Sequence, residues 1–112
     1  MARDINRKDA MELLLTGRKI KAPEAKALGM INYAVPVEEV MDKAIELAEE
    51  CLKNAPLALK WTKYVVHAAD QMSEEDAMRY SDAAYRFLEK TEDGIEGPKA
   101  FVEKRTPVWQ GK

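Results

Sequence analysis

With 112 residues, 46% of them apolar and 34% charged, the chain has the size and balance of one globular domain that needs neither disulfide nor metal to hold a core. A formal net charge of −2 argues against nucleic-acid binding, which usually shows a basic surplus. Cys51 is the only cysteine and His67 the only histidine, which leaves no disulfide within the chain and no cysteine-based or paired-histidine zinc site.

The start, MARDINRKDA, is charged rather than apolar, and no run approaches the ~20 apolar residues of a membrane span. The expectation is a soluble, cytoplasmic chain without a leader. Ala, Leu, Met, Glu and Lys abound while β-branched and aromatic residues are sparse, so helix is expected almost throughout. RKDAMELLLTG places Ala10, Met11, Leu14 and Leu15 at helical spacing, and Gly17 is a natural left-handed stop. KAPEAKALG reads as a compact helix with Pro23 at its first position, Glu24 near its positive end and Gly29 after it. MINYAVP is the one stretch that alternates like a strand, with Ile31, Tyr33 and Val35 on one side. Alone it is too short to stand as a sheet, so it pairs elsewhere or runs as an ordered connection.

From Val37 the pattern is strongly amphipathic. Val40, Met41, Ala44, Ile45, Ala48, Cys51 and Leu52 form an apolar stripe opposite a mostly acidic face. Pro56 interrupts it and opens a second long helix carrying Leu57, Trp61, Tyr64, Val65 and Ala68 on one side. Ser73, with Asp76 three residues on, is an N-cap for a helix running to about Lys90, with Ala77, Tyr80 or Ser81, Ala84, Phe87 and Leu88 inward. Thr91 caps a further turn, and a last helix is expected to begin at Pro98 and end near Arg105. The fold class is therefore all-α, with five or six helices and one short extended segment.

Residues able to do chemistry are scarce. His67 lies beside an apolar stripe and reads as solvated, and Cys51 falls on a stripe, where a free cysteine behaves as a small buried hydrophobe. The carboxylates alternate with apolar positions as on a solvated helix face, with nothing to raise their pKa. Gly94 and Gly97 make no phosphate loop. No catalytic or metal-ligating residue is expected; by composition alone this is a helical interaction module.

The order of motifs nevertheless resembles a family. AMELLLTGRKIKAPEAKALGMINYAVP is similar to the segment that comes after the catalytic core of enoyl-CoA hydratase/isomerase (crotonase) proteins, with Leu15-Thr16-Gly17, Ile20 to Ala25, Gly29-Met30-Ile31 and Val35-Pro36 at the matching places. NAPLALKWTK resembles the family's Ala-Pro helix, and TEDGIEGPKAFVEKRTPVWQG its ending. The resemblance implies the helical carboxy-terminal region of the crotonase fold, with residues 1–36 a helical connection after the catalytic core and residues 37–112 an oligomerisation and CoA-lid domain.

It also implies that the oxyanion hole and the two glutamates of a hydratase lie outside this chain, which would be a truncated product, half of a split enzyme or an excised domain. The implied function is the non-catalytic part of an enzyme hydrating trans-2-enoyl-CoA to 3-hydroxyacyl-CoA in fatty-acid metabolism. The implied ligand is an acyl-CoA in the complete enzyme, with no metal and no covalently bound cofactor. The implied partner is a second copy of the chain, through trimer-type contacts or exchanged helices. By resemblance Phe101 and Lys104 would meet the nucleotide end of CoA, and Tyr85 the pantetheine end. Phe101 and Lys104 are three apart on the last helix and so share a face, a ring and an ammonium pointing the same way. A charged hydrogen bond there contributes about 1.5–3 kcal/mol. The plainer alternative is a stand-alone assembly module in which Phe101 anchors a helix and Lys104 is solvated.

Overall fold

The computed structural model describes residues 5–112, so the charged opening residues 1–4 lie outside it. Among the described residues there are six α-helices and no strand. They are α1 (Arg7–Thr16), α2 (Ala22–Ala27), α3 (Val40–Leu52), α4 (Pro56–Ala69), α5 (Glu74–Leu88) and α6 (Glu92–Val102), with a 3₁₀ turn, Val37–Glu39, leading into α3. Compactness divides the chain inside α3, into Met1–Ile45 and Glu46–Lys112.

In the first unit, Asn6 Oδ1 accepts from the Lys8 amide and caps α1. Gly17, at φ 63°, closes the helix with its amide on the Leu13 carbonyl. After α2 the chain turns at Gly29 (φ 78°), and the amides of Gly29 and Met30 reach back to the Lys26 and Ala25 carbonyls, a Schellman closure. These two turns gather Ile20, Leu28 and Met30 around buried Ile5, Ala10 and Leu13. The buried face of α1 is thus Ala10 and Leu13; Met11, Leu14 and Leu15, expected inward with Ala10, are exposed. Arg18 ties the closures together, 3.0 Å from Glu12 and 2.7 Å from Glu24, and these carboxylates, Glu24 foremost, raise its pKa. MINYAVP is irregular, the ordered-connection alternative, and Lys43 Nζ stands 4.6 Å from the centre of its Tyr33 ring.

In the second unit, Pro56 opens α4 at its first turn and Ser73 caps α5, its hydroxyl accepting from the Asp76 amide at 3.2 Å. α4 and α5 pack as a pair. Trp61 sits between Tyr64 and Phe87, with ring centres 6.1 and 5.3 Å away, and Ala84 lets the helices close. Tyr64 and Phe87 keep about half their surface open despite that contact.

Two expectations fail here. The stripe on α3 is exposed along its length, Cys51 included, because a stripe predicts which face seeks a partner, not that one is present. The last helix starts at Glu92, not Pro98, and runs straight through the proline. Pro98 forfeits one backbone hydrogen bond and crowds the carbonyl one turn back; Gly97 before it, with no Cβ to collide with the ring, lightens one part of that cost. Thr91 caps this whole helix, its Oγ1 accepting from the Gly94 amide at 3.0 Å. Gly94 is obligatory at the α5–α6 corner: a Cβ there would lie 2.1 Å from the Leu88 carbonyl oxygen.

Candidate functional site

The end of α6 and the tail beyond it hold Phe101 and Lys104, two of the three residues singled out for binding. Helical geometry stops at Val102. The Lys104 amide then donates to the Phe101 carbonyl at 3.2 Å and the Arg105 amide to Ala100 at 3.0 Å, the two bonds of a Schellman closure. The position between them needs a left-handed residue and is usually glycine. Here it is Lys104, at φ 54°, the one non-glycine with positive φ among the described residues. Lys104 therefore does not continue the helix face of Phe101, and the shared-face expectation from their spacing is corrected.

Beyond this turn the chain lies back over α6 as a strap. The Arg105 guanidinium meets Glu96 with two parallel bonds, 2.5 and 2.8 Å, and Glu103 with a third at 2.6 Å. Glu96 also accepts from the Val108 amide at 2.8 Å. These donors, the Arg105 guanidinium first and the Val108 N–H second, hold the Glu96 carboxyl down at about 2, and Glu96 in turn raises the Arg105 pKa. Trp109 Nε1 donates to the Lys53 carbonyl just past α3, and its ring lies over Gly97, where a Cβ would be 3.4 Å from the indole. Further on, the amides of Gln110 and Gly111 donate to the two carboxylate oxygens of Asp93, at 2.6 and 2.9 Å, and the Asp93 amide donates to the Lys112 carbonyl. Asp93 is only 3% exposed; it is the buried polar residue around which the strap closes.

Between the strap and the end of α3 lies an open groove of about 570 Å³, whose lining includes Glu49, Leu52, Lys53, Lys104, Pro107 and Trp109. Lys53 is paired with Glu50, and Arg105 with Glu96 and Glu103. Lys104 has no ion-pair partner among the described residues, so its ammonium is the cation left available at the groove. Phe101 is 85% exposed and does not line this groove. Tyr85 lies elsewhere, lining a groove of about 210 Å³ between α4 and α5 with Trp61, Val65, Val66 and Leu88. The structure thus brings Lys104 together with Trp109, and sets Tyr85 apart.

This arrangement can bind an anion and a flat ring, but it offers no acid–base or nucleophilic constellation. His67 and Cys51 are exposed, and among the described residues no group of three His, Cys, Asp or Glu side chains could hold a metal. No described helix is long and apolar enough to cross a membrane. Sequence reasoning missed Asp93 and Glu96. Asp93 and Glu96 look like ordinary acidic residues of a helix, and their bonds to residues 9 to 18 positions away leave no periodic trace.

Comparison with known proteins accounts for the whole segment. Residues 1–112 match the family described as enoyl-CoA hydratase/isomerase. The chain is 41% identical over 105 residues to a carnitinyl-CoA dehydratase of Citrobacter koseri, covering 90% of this chain and 40% of that protein. Its fold is similar to an enoyl-CoA hydratase from Bacillus anthracis, with TM-score 0.95, 38% identity, and coverage of 99% of this chain and 43% of that one. It is likewise similar to an enoyl-CoA hydratase from Mycobacterium tuberculosis, with TM-score 0.94 and 32% identity over 100% of this chain and 44% of that one. The chain thus spans about two-fifths of the length of these relatives and corresponds to their carboxy-terminal part. On its motifs, its helices and this match over its full length, the chain belongs to the enoyl-CoA hydratase/isomerase family.

Proposed function

We propose that the chain is the assembly and lid portion of an enzyme that adds water to, or removes it from, an acyl-CoA, and that it does not catalyse the reaction by itself. The observation that carries this reading is the state of Phe101 and Lys104, the family's lid positions: an exposed ring and an ammonium without an ion-pair partner among the described residues. A flat ring packs on adenine and an ammonium meets phosphate as a point charge. Tyr85, in its own groove, would face the pantetheine arm or the subunit contact. The relatives' names, a dehydratase of carnitinyl-CoA and hydratases of enoyl-CoA, share one element, the CoA thioester. The oxyanion hole and paired glutamates would come from an amino-terminal crotonase portion.

The test is hydration of crotonyl-CoA by the chain alone and by the chain joined to such a portion. No turnover by the lone chain is expected, and turnover by it overturns the proposal. In the joined enzyme, Lys104→Ala should raise KM for crotonyl-CoA about threefold to fivefold with little change in kcat; an unchanged KM removes the lid role. The exposed stripe on α3 favours a second reading, an assembly module without any ligand, which predicts association but no response to CoA.

A further inference from the structure

Lys104 is the exception in its class of turn. A side chain in left-handed geometry is disfavoured by contact between Cβ and the following carbonyl, and glycine would relieve that at once. The conformation nevertheless stands, and the neighbouring contacts say what sustains it. Arg105, the next residue, is fastened by its fork to Glu96, nine positions back on α6, and Val108 is fastened to the same carboxylate. Swinging Lys104 out of the left-handed region would carry Arg105 away from Glu96 and break both bonds. The carboxylate therefore grips the chain just beyond the turn, and the turn cannot relax without releasing it.

We infer that Glu96 is a positioning residue: by clamping Arg105 and Val108 it fixes Lys104 in its left-handed turn, with the ammonium preset at the rim of the groove for the 3′-phosphate of a CoA nucleotide. This rests on the lid reading above. Glu96 itself touches no ligand, being engaged by Arg105 and the Val108 amide. Its contribution is to spare the ligand the cost of ordering the turn.

The experiment tracks the amide shifts of the 112-residue chain during titration with CoA and, separately, with dephospho-CoA, which lacks the 3′-phosphate. The coupling constant of the Lys104 amide reports its backbone angle at the same time. In the open groove the wild-type chain should prefer CoA by about threefold to fivefold, the upper part of what a solvent-exposed ion pair contributes. Lys104→Ala should abolish the preference. Glu96→Gln should abolish it as well, although Lys104 is still present, and should move the Lys104 coupling away from its left-handed value while α4–α5 shifts stay put. Absence of any preference in the wild type overturns this inference, while the lid reading is decided separately by the KM of Lys104→Ala in the joined enzyme. A wild-type preference lost in Lys104→Ala but kept in Glu96→Gln overturns the positioning role alone. Should Glu96→Gln lose the fold, Arg105→Lys, which keeps the charge but not the fork, is read by the same criteria: loss of the preference supports the inference and retention overturns it.

Discussion

Replacing Asp93 by asparagine probes what holds the strap down. Both oxygens of Asp93 accept a backbone N–H, from Gln110 at 2.6 Å and Gly111 at 2.9 Å, in a side chain 3% exposed. Asparagine keeps the volume and one carbonyl oxygen, but its amide NH₂ would face one of the two N–H groups, donor against donor. One charge-assisted bond is lost and the other becomes neutral. With such bonds worth about 1.5–3 kcal/mol and neutral ones nearer 1, the change costs about 2 kcal/mol at the least. The strap lies outside the α4–α5 pair and can lift without unfolding it, so the cost should appear as easier local opening. About 2 kcal/mol corresponds to roughly thirtyfold faster exchange wherever opening controls the rate. Native-state hydrogen exchange of the Gln110 and Gly111 amides and the Trp109 indole measures this directly. The expected result is acceleration at these three sites and none in α4 or α5. Exchange at Gln110 and Gly111 within about threefold of wild type would show that the carboxylate is not what fastens the strap.

Gly94→Ala drives a Cβ to 2.1 Å from the Leu88 carbonyl oxygen, and backbone cannot yield as a side chain does; a loss of about 3 kcal/mol or more is expected in denaturant titration, and a wild-type midpoint contradicts it. Gly17→Ala meets nothing within 4 Å, so only its φ of 63° matters, and about 1–2 kcal/mol is expected in the same assay. The Glu96 carboxyl, held at about 2 against an ordinary 4.5, is depressed in the folded state, so its contribution is complete above pH 4.5 and fades as pH falls toward 2. Trp109 fluorescence should therefore be unmoved by Glu96 between about pH 8 and 5, above that window, and a Glu96-dependent change at neutral pH contradicts the assignment. Sedimentation at high protein concentration should show association, and Ile45→Glu, at a residue already half exposed on the α3 stripe, should shift the distribution toward monomer; a clean wild-type monomer contradicts the assembly role.

The helices were legible because their punctuation is local. Gly17, Gly29, Pro56 and Ser73 each act through their own backbone geometry or one short hydrogen bond, so each marks the chain where it stands. Pro98 misled for the complementary reason. The missing N–H and the ring's crowding of the preceding turn argue for a helix start at Pro98, whereas only one part of the cost, the clash with the residue before it, is lightened by Gly97. On α1 the apolar run Leu13, Leu14, Leu15 is too dense for periodicity to say which member faces inward; the turns that bring Ile20 and Met30 alongside decide for Leu13. The strap was hidden because its bonds join side chains to backbone across many residues. Lys104 was found by resemblance, but its left-handed angle was not, since the Schellman turn ordinarily advertises itself with glycine.

The closing of α6 onto its own tail has an electrostatic corollary. The positive pole of a helix attracts anions through its first backbone donors, yet here the Asp93 amide is engaged by the Lys112 carbonyl and the Gly94 amide by Thr91. A phosphate nearing this helix finds two donors of that inviting pole already engaged, and at the Lys104 end meets the opposite pole, whose partial negative charge of roughly half a unit repels it. Lys104 must first cancel that repulsion before it can attract, so the attraction left over is small and readily screened by salt.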